Sequence, residues 1–198
     1  MKAAVQANRD AQKKELRREM QSRLEPGSRE ATRAASREVC AILADAHAVA
    51  GASIVGLYAS VQWEVDVMPL VEDTRAKEHA FVMPRWNLET KKYEFALLER
   101  LDQLRSGRFG IAEPPATAPR RDFSGLDVVL VPGLAFSPSG ARLGRGGGYY
   151  DRLLKDCPAV KVGICLDCQL IDGVPRDDWD QTMDFIATPT QWITTGVN

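Results

Sequence analysis

The chain has 198 residues, of which 44% are hydrophobic and 27% charged, and its 26 Lys and Arg side chains nearly balance its 27 Asp and Glu side chains. This composition excludes a disordered chain, a collagen-like chain and a disulfide scaffold, and a chain of this length can bury roughly 70% of its unfolded surface. The net charge of −1 argues against a general nucleic-acid binder, which usually carries a basic excess. We expect one globular domain over residues 1–198.

The predicted elements form a helical N-terminal segment followed by alternating strands and helices. Leu16, Met20 and Leu24 recur every four residues, and Pro26-Gly27 would end this first helix. In chain order we predict helices over 9–24 and 28–50, a strand over 53–58, a helix over 67–77, a strand over 80–83 ended by Pro84, a helix over 97–104, a loop over 113–119, a strand over 127–131, a helix over 149–155, and strands over 160–165 and 185–187.

The strands indicate the fold class. Several of them, above all residues 127–131, are continuous apolar runs, which is typical of strands covered on both faces. Strand–helix–strand spacing favours parallel pairing. The sequence therefore predicts an α/β fold with a mostly parallel open sheet, helices on both faces and a helical N-terminal segment.

The N-terminus and the cysteines suggest a compartment. The N-terminal residues contain no apolar run of signal-peptide length, and no window approaches the roughly 18 apolar residues of a membrane span. We therefore expect a cytoplasmic protein with free thiols and no membrane contact. Cys165 and Cys168 form a lone CxxC motif, for which we expect neither zinc binding nor a redox function.

The most informative segment is the Gly-rich loop from Arg142 to Tyr150, which follows the most apolar strand and precedes a helix. Open α/β sheets bind ligands beyond the carboxyl ends of their strands. Its glycines allow backbone N–H groups to approach an anion, and its arginines can bind phosphate oxygens in a forked geometry. The loop predicts a polyphosphate site, although it matches neither the GxxxxGK[ST] nor the GxGxxG pattern.

The residues alone leave several roles open. Asp151 is either a helix N-terminal acid or a magnesium ligand, and the adjacent Tyr149 and Tyr150 are either core aromatics or a stacking surface. Lys13 and Arg17 could form a solvated helix face, while Glu64 and Asp66 could cap the following helix.

The stretch Arg142–Arg152 resembles the signature of the 5-formyltetrahydrofolate cyclo-ligase family. Further matching segments run in order along nearly the whole chain: 13–17, 64–66, 83–85, 110–114, 131–136 and Asp184. The resemblance implies ATP- and magnesium-dependent closure of 5-formyltetrahydrofolate to 5,10-methenyltetrahydrofolate, in which the formyl oxygen is phosphorylated and ADP and phosphate are released. It also implies a reduced folate as the substrate, and we expect a monomer.

The resemblance assigns roles position by position. It implies Arg145 and Tyr149 as catalytic residues and Asp151 and Asp184 as magnesium ligands. ATP contacts would be Lys13, Lys14, Arg17, Arg142, Leu143, Gly144, Arg145, Gly146, Gly147, Gly148, Tyr149 and Tyr150. Folate contacts would be Val61, Glu64, Asp66, Arg145, Gly146, Gly147, Gly148 and Tyr149, with Trp86 and Phe109 as walls for the pterin ring.

Three positions depart from the family pattern: Val67, Ser137 and Trp179. They motivate an alternative hypothesis, a folate- or nucleotide-binding regulator that has lost turnover. A third hypothesis is RNA binding by the basic N-terminus together with the Gly-rich loop and its arginines. Residues 1–37 carry ten basic and five acidic side chains, but the remaining chain has a charge of −6, which disfavours a large RNA footprint.

Overall fold

The computed structural model describes residues 2–25, 27–73 and 79–196. None of the described helices is both long and apolar enough to cross a membrane. The elements in chain order are α1 (Lys2–Leu24), α2 (Arg29–Asp45), α3 (His47–Ala50), β1 (Ile54–Gly56), α4 (Pro69–Glu72), β2 (Ala80–Asn87), β3 (Lys92–Leu98), β4 (Arg105–Ser106), β5 (Ala112–Glu113), β6 (Arg120–Arg121), β7 (Val128–Pro132), β8 (Ala135–Phe136), β9 (Arg142–Leu143), α5 (Tyr149–Leu153), β10 (Val160–Ile164), β11 (Phe185–Ala187) and β12 (Trp192–Thr194).

In the described residues, eight strands form one sheet in the order β12-β11-β10-β7-β1-β2-β3-β6. The central pairs β2–β1, β1–β7, β7–β10 and β10–β11 are parallel. The outer pairs β11–β12, β2–β3 and β3–β6 are antiparallel. The predicted α/β class with a mostly parallel open sheet is confirmed.

The central strand β7 shows how both faces of the sheet are covered. Val128 and Leu130 pack in a core cluster with α2, α3 and α4. Val129 and Val131, which point the other way, pack in a second cluster with α5. All five residues of β7 are buried, because a parallel strand between two helical layers has no solvated face.

The long helix α1 packs away from these two clusters. Its Met20 and Leu24 are buried against Leu134, Ala135 and Leu143 of the β8–β9 hairpin. This hairpin directly follows β7, so it holds α1 beside the carboxyl end of the central strand. The helix begins earlier than the predicted residue 9 and ends at Leu24 as predicted, while Pro26 lies outside the described residues.

The predicted helix over 97–104 is wrong. Residues 92–98 form β3, and only a single 3-10 turn follows at Leu101–Gln103. The alternating residues Tyr93 and Phe95 are a strand pattern, and Phe95 is buried in the core. This alternation lies just before residue 97, so the predicted helix began inside the last part of the strand.

The predicted end of the second strand at Pro84 is also wrong, since β2 continues to Asn87 and pairs with β3 throughout. The last residue pair between β2 and β1 is Gly56–Val82. Pro84 therefore lies where β2 has a neighbour on one side only, and a proline is tolerated at such an edge because no ladder hydrogen bond is lost.

Two predicted helices are shorter than expected. The backbone of Ala46 is extended, at φ −69° and ψ 123°, and this separates α2 from α3 within the predicted helix 28–50. The helix predicted over 67–77 is limited to α4, after which Asp73 is extended. Residues 74–78 lie outside the described residues.

Candidate functional site

A cleft of about 1110 Å³ lies beyond the carboxyl ends of β1 and β7. Its walls come from α1, the turn after β1, β3, the β4–β5 hairpin, the Gly-rich loop, α5 and residues 177–181. Pockets for one drug-sized ligand are typically 300–1,000 Å³. The volume of the cleft therefore lies just above the upper end of this range.

The central part of the Gly-rich loop, residues 144–148, connects β9 to α5 along one wall of this cleft. Gly146 and Gly148 have φ of +99° and +61°, values that disfavour a side chain. A Cβ on Gly147 would lie 2.5 Å from Cε2 of Tyr149. Glycine is thus required here for both backbone conformation and close approach of the Tyr149 ring.

Arg142 is the buried cation beneath this loop. Its side chain is 4% exposed and its Nη2 donates to both carboxylate oxygens of Asp151, at 3.1 and 3.2 Å. Nη1 donates to the carbonyl of Pro132 at 3.1 Å. The guanidinium also lies 5.5 Å from the ring centroid of Tyr150. Arg142 therefore joins the end of β7, the loop and α5.

Two basic residues of α1 complete the cationic half of the cleft. Arg17 Nε donates to the carbonyl of Gly144 at 2.9 Å. Lys13 is buried, and its Nζ forms ion pairs with Asp177, at 2.6 Å, and with Asp180. Lys14 also lines the cleft. We call Lys13, Lys14, Arg17, Arg142, Arg145 and Gly144–Gly148 the cationic half.

The segment 177–181 faces α1 across this half. Burial opposes ionisation of Asp177, but hydrogen bonds from Lys13 and Arg9 outweigh it and lower the pKa of this carboxyl. Asp180 Oδ2 also accepts from the backbone N–H of Asp177 at 2.8 Å, and Gln181 N–H donates to Asp151 Oδ1 at 3.2 Å. The segment therefore holds α1 and Asp151 at the same end of the cleft.

Arg145 extends from the loop to the turn after β1. Its Nε donates to Glu64 Oε1 at 3.0 Å and its Nη1 to Gln62 Oε1 at 2.9 Å. Glu64 Oε2 accepts from Val61 N–H at 3.1 Å. Burial raises the pKa of Glu64 despite the adjacent guanidinium. This contact joins the opposite walls of the cleft.

Aromatic rings form the other half of the cleft. Tyr149 lies 5.4 Å from Tyr93 and 5.8 Å from Phe109, centroid to centroid. Phe109 is 65% exposed and lines the cleft. We call Tyr93, Phe109, Ile111, Ala112, Glu113 and Tyr149 the aromatic half. Tyr149, at the start of α5, contributes to this half and directly follows the Gly-rich loop.

Four of the predicted site residues lie outside the cleft lining. Asp66 Oδ1 accepts from Met68 N–H at 3.1 Å, a capping contact before α4. Asp184 is exposed and its Oδ2 accepts from Lys161 N–H at 2.7 Å, so it holds β10 to β11. Leu143 is buried against α1. Trp86 supports the aromatic half from behind, 5.1 Å from the ring of Tyr93.

Three acids of the cleft that are not exposed were not predicted from the sequence: Glu113, Asp177 and Asp180. The sequence does carry a signal for Asp177 and Asp180, because residues 177–180 contain three acids, whose charge complements the basic face of α1. The structure brings together the other predicted residues: Val61, Glu64, Phe109, Asp151, Tyr150 and the members of the cationic half.

A model described as the 5-formyltetrahydrofolate cyclo-ligase family matches residues 9–189. The chain belongs to this family. The 5-formyltetrahydrofolate cyclo-ligase of Escherichia coli strain K12 is 33% identical to this family member over 147 residues, which cover 71% of this chain and 80% of that protein. The Haemophilus influenzae cyclo-ligase is 30% identical over 131 residues, covering 64% and 70%. The resemblance inferred from the loop motif is confirmed.

Solved structures of the cyclo-ligase fold agree with this assignment. The structure of Aquifex aeolicus 5,10-methenyltetrahydrofolate synthetase superimposes with a TM-score of 0.83 at 32% identity and covers 94% of each chain. The Mycoplasma pneumoniae 5,10-methenyltetrahydrofolate synthetase has a TM-score of 0.69 at 22% identity, over 89% of this chain and 98% of that one. This second, more distant likeness shows the fold alone.

The buried Glu64 carboxyl predicts a pH-dependent stability. Its folded-state pKa is raised above the ordinary value of 4.5, so the free energy of unfolding falls as pH rises from that value through the raised pKa. Glu64→Gln cannot ionise. We expect its stability relative to the wild type to increase between about pH 4 and pH 7, measured by urea unfolding. A difference that is constant with pH, or decreases, would contradict this assignment.

Proposed function

We propose that this chain catalyses the ATP- and magnesium-dependent conversion of 5-formyltetrahydrofolate to 5,10-methenyltetrahydrofolate. The observation that carries the proposal is one cleft with a cationic half and an aromatic half that meet at Tyr149. A triphosphate needs the first environment and a flat pterin ring the second. The proposal agrees with the activity for which the similar cyclo-ligases and synthetases are named.

In this reaction the formyl oxygen of the folate attacks the γ-phosphorus of ATP, and ADP departs. Nitrogen 10 then attacks the activated formyl carbon, the ring closes and phosphate leaves with the former formyl oxygen. The amide oxygen is a poor leaving group, and phosphorylation makes it a good one. No side-chain nucleophile is required, so the protein acts mainly by positioning and charge neutralisation.

The residues of the cationic half would bind the phosphates. Backbone N–H groups of Gly146–Gly148 and the guanidinium of Arg17 would contact the phosphate oxygens. Arg145, only a third exposed and held by Glu64, lies at the boundary of the two halves, where it would neutralise charge on the transferred phosphoryl group. Tyr149 would hold the pterin beside it.

The cleft offers carboxylates for a magnesium ion bound together with nucleotide, and binding would require Asp151 and Asp180 to share their oxygens with Arg142 and Lys13. The described residues contain no group of three or more His, Cys, Asp or Glu that could hold a metal. Magnesium is usually bound by one or two carboxylates plus substrate phosphates. Asp151 and Asp180 would supply these carboxylates, and the ion would neutralise phosphate charge. Asp184, outside the cleft, is replaced by Asp180 in this proposal.

The positions that motivated the regulator hypothesis lie largely outside the cleft. Val67 is fully buried in the core, and Ser137 is buried and hydrogen-bonded to Ser139 at 2.8 Å. Trp179 lines the cleft and is 61% exposed. Two of the three departures therefore lie outside the cleft lining, and only Trp179 can act on a bound substrate directly.

The proposal is tested by adding 5-formyltetrahydrofolate to the protein with ATP and magnesium and following the near-ultraviolet absorbance of the methenyl product. We expect product and ADP in equal amounts. Tight folate binding without ATP consumption would instead favour the regulator, and strong salt-dependent RNA binding would favour the third hypothesis.

Two neighbouring arginines of α1 give a matched test of the nucleotide site. Arg17 lines the cleft, whereas Arg18 is 80% exposed and pairs with Glu15. Losing a charge-assisted hydrogen bond costs about 1.5–3 kcal/mol, so Arg17→Ala should raise the KM for ATP roughly ten- to hundredfold. Arg18→Ala should leave it unchanged. Equal effects of the two substitutions in steady-state kinetics would refute the assignment of α1 to the nucleotide site.

The metal assignment predicts different effects for two aspartates. Asp151→Asn should increase the magnesium concentration needed for half-maximal activity, because an amide is a weaker ligand than a carboxylate. The substitution also removes the ion pair with Arg142, so the titration is read together with the thermal stability and ATP affinity of the variant. Asp184→Asn should leave the magnesium titration unchanged, since this side chain bonds to β10. A shift for Asp184→Asn with none for Asp151→Asn would reverse the assignment.

A further inference from the structure

Glu113 is the carboxylate of the aromatic half, and the guanidinium of Arg108 also lies against these rings, 3.6 Å from the Trp86 centroid and 5.8 Å from the Tyr149 centroid. Glu113 is the last residue of β5, directly after the cleft residues Ile111 and Ala112. Its charge lies close enough to Tyr93 to raise the pKa of that phenol, after the larger effect of burial. An acceptor therefore lies beside the rings of the aromatic half.

The electrostatic surroundings of Glu113 differ from those of the other acids. Glu64 pairs with Arg145, Asp151 with Arg142, and Asp177 and Asp180 with Lys13. Of the cleft acids that are not exposed, Glu113 alone has no ion pair with a described residue. Its one hydrogen bond within the described chain is from Trp86 N–H to Oε2, at 3.1 Å. A carboxylate can accept about four hydrogen bonds, so acceptor capacity remains.

The chain around Glu113 fixes the position of this carboxylate. A Cβ on Gly107 would collide with the Glu113 carboxyl group, so the facing strand approaches it closely. On the other side, buried Arg85 donates from Nη1 to the carbonyls of Pro115, Ala116 and Ala118, at 2.8–3.1 Å. The segment that follows Glu113 is thereby held to β2. The carboxylate is pre-organised and does not need to be ordered by a ligand.

We propose that Glu113 recognises the donor edge of the reduced pterin and determines substrate specificity in this cleft. The 2-amino-4-oxo pyrimidine of a folate carries two adjacent donors, the N3–H and the 2-amino group. A carboxylate is the side chain that accepts both in parallel. Stacking in the aromatic half and pairing with Glu113 together fix the ring, so that the formyl group points toward the cationic half.

This inference rests on the proposed function, and its test separates the two. Isothermal titration of wild-type protein with 5-formyltetrahydrofolate, and with its analogue lacking the 2-amino group, measures discrimination without turnover. The wild type should bind the natural folate roughly ten- to hundredfold more tightly. Glu113→Gln should lose most of this affinity and bind the two compounds nearly equally, because the neutral amide cannot accept from both donors.

The control is Glu89→Gln, an exposed glutamate in the turn after β2 and outside the cleft, which should bind like the wild type. Thermal unfolding and ATP affinity of Glu113→Gln should also match the wild type. If the wild type turns over 5-formyltetrahydrofolate but binds it no more tightly than the analogue, the proposed role of Glu113 is wrong, whatever the variant does. If Glu113→Gln still prefers 5-formyltetrahydrofolate to the analogue by the wild-type ratio, the proposed role is also wrong. A wild type without turnover would instead contradict the proposed function.

Discussion

The ion pair between Arg142 and Asp151 is the constraint on which the cleft depends. Arg142 lies in the β8–β9 hairpin, bonds to the carbonyl at the end of β7 and holds the first turn of α5. A buried ion pair contributes little net stability because of its desolvation cost, but removing one partner costs about 3–5 kcal/mol. The Arg142–Asp151 ion pair matters here for position, because it fixes both ends of the Gly-rich loop. Residues 144–148 are then held in one position facing α1.

The position of this loop determines where the cationic half and the aromatic half of the cleft lie. On one side, Arg17 and Lys13 of α1 close the cationic half, and α1 is placed by packing of Met20 on the same hairpin. On the other side, Tyr149 begins the aromatic half immediately after the last glycine. The reacting groups of two substrates would therefore meet beside one rigid turn. Such positioning can supply several kcal/mol of the reaction barrier without a nucleophilic side chain.

The sequence was most informative where one local pattern determines structure. Continuous apolar strands predicted the parallel sheet, and glycines with arginines predicted the loop. Prediction from the sequence failed where contacts between distant parts of the chain determine the structure. The antiparallel pairing of β3 with β2 is not visible in residues 97–104 alone, and Pro84 is tolerated only because β1 has already ended. Asp184 and Asp180 lie on the same short segment, and which of them faces the cleft depends on contacts with α1 and Asp151. Glu113 lies in the matching segment 110–114, but its role was not predicted, because its neighbours in the cleft come from distant parts of the chain.

A structure with magnesium and a non-hydrolysable ATP analogue would test the central claim most directly. We expect the triphosphate between Arg17 of α1 and the backbone N–H groups of Gly146–Gly148, with the γ-phosphate directed toward Tyr149. A nucleotide bound elsewhere, or phosphates that contact neither α1 nor the loop, would contradict the account.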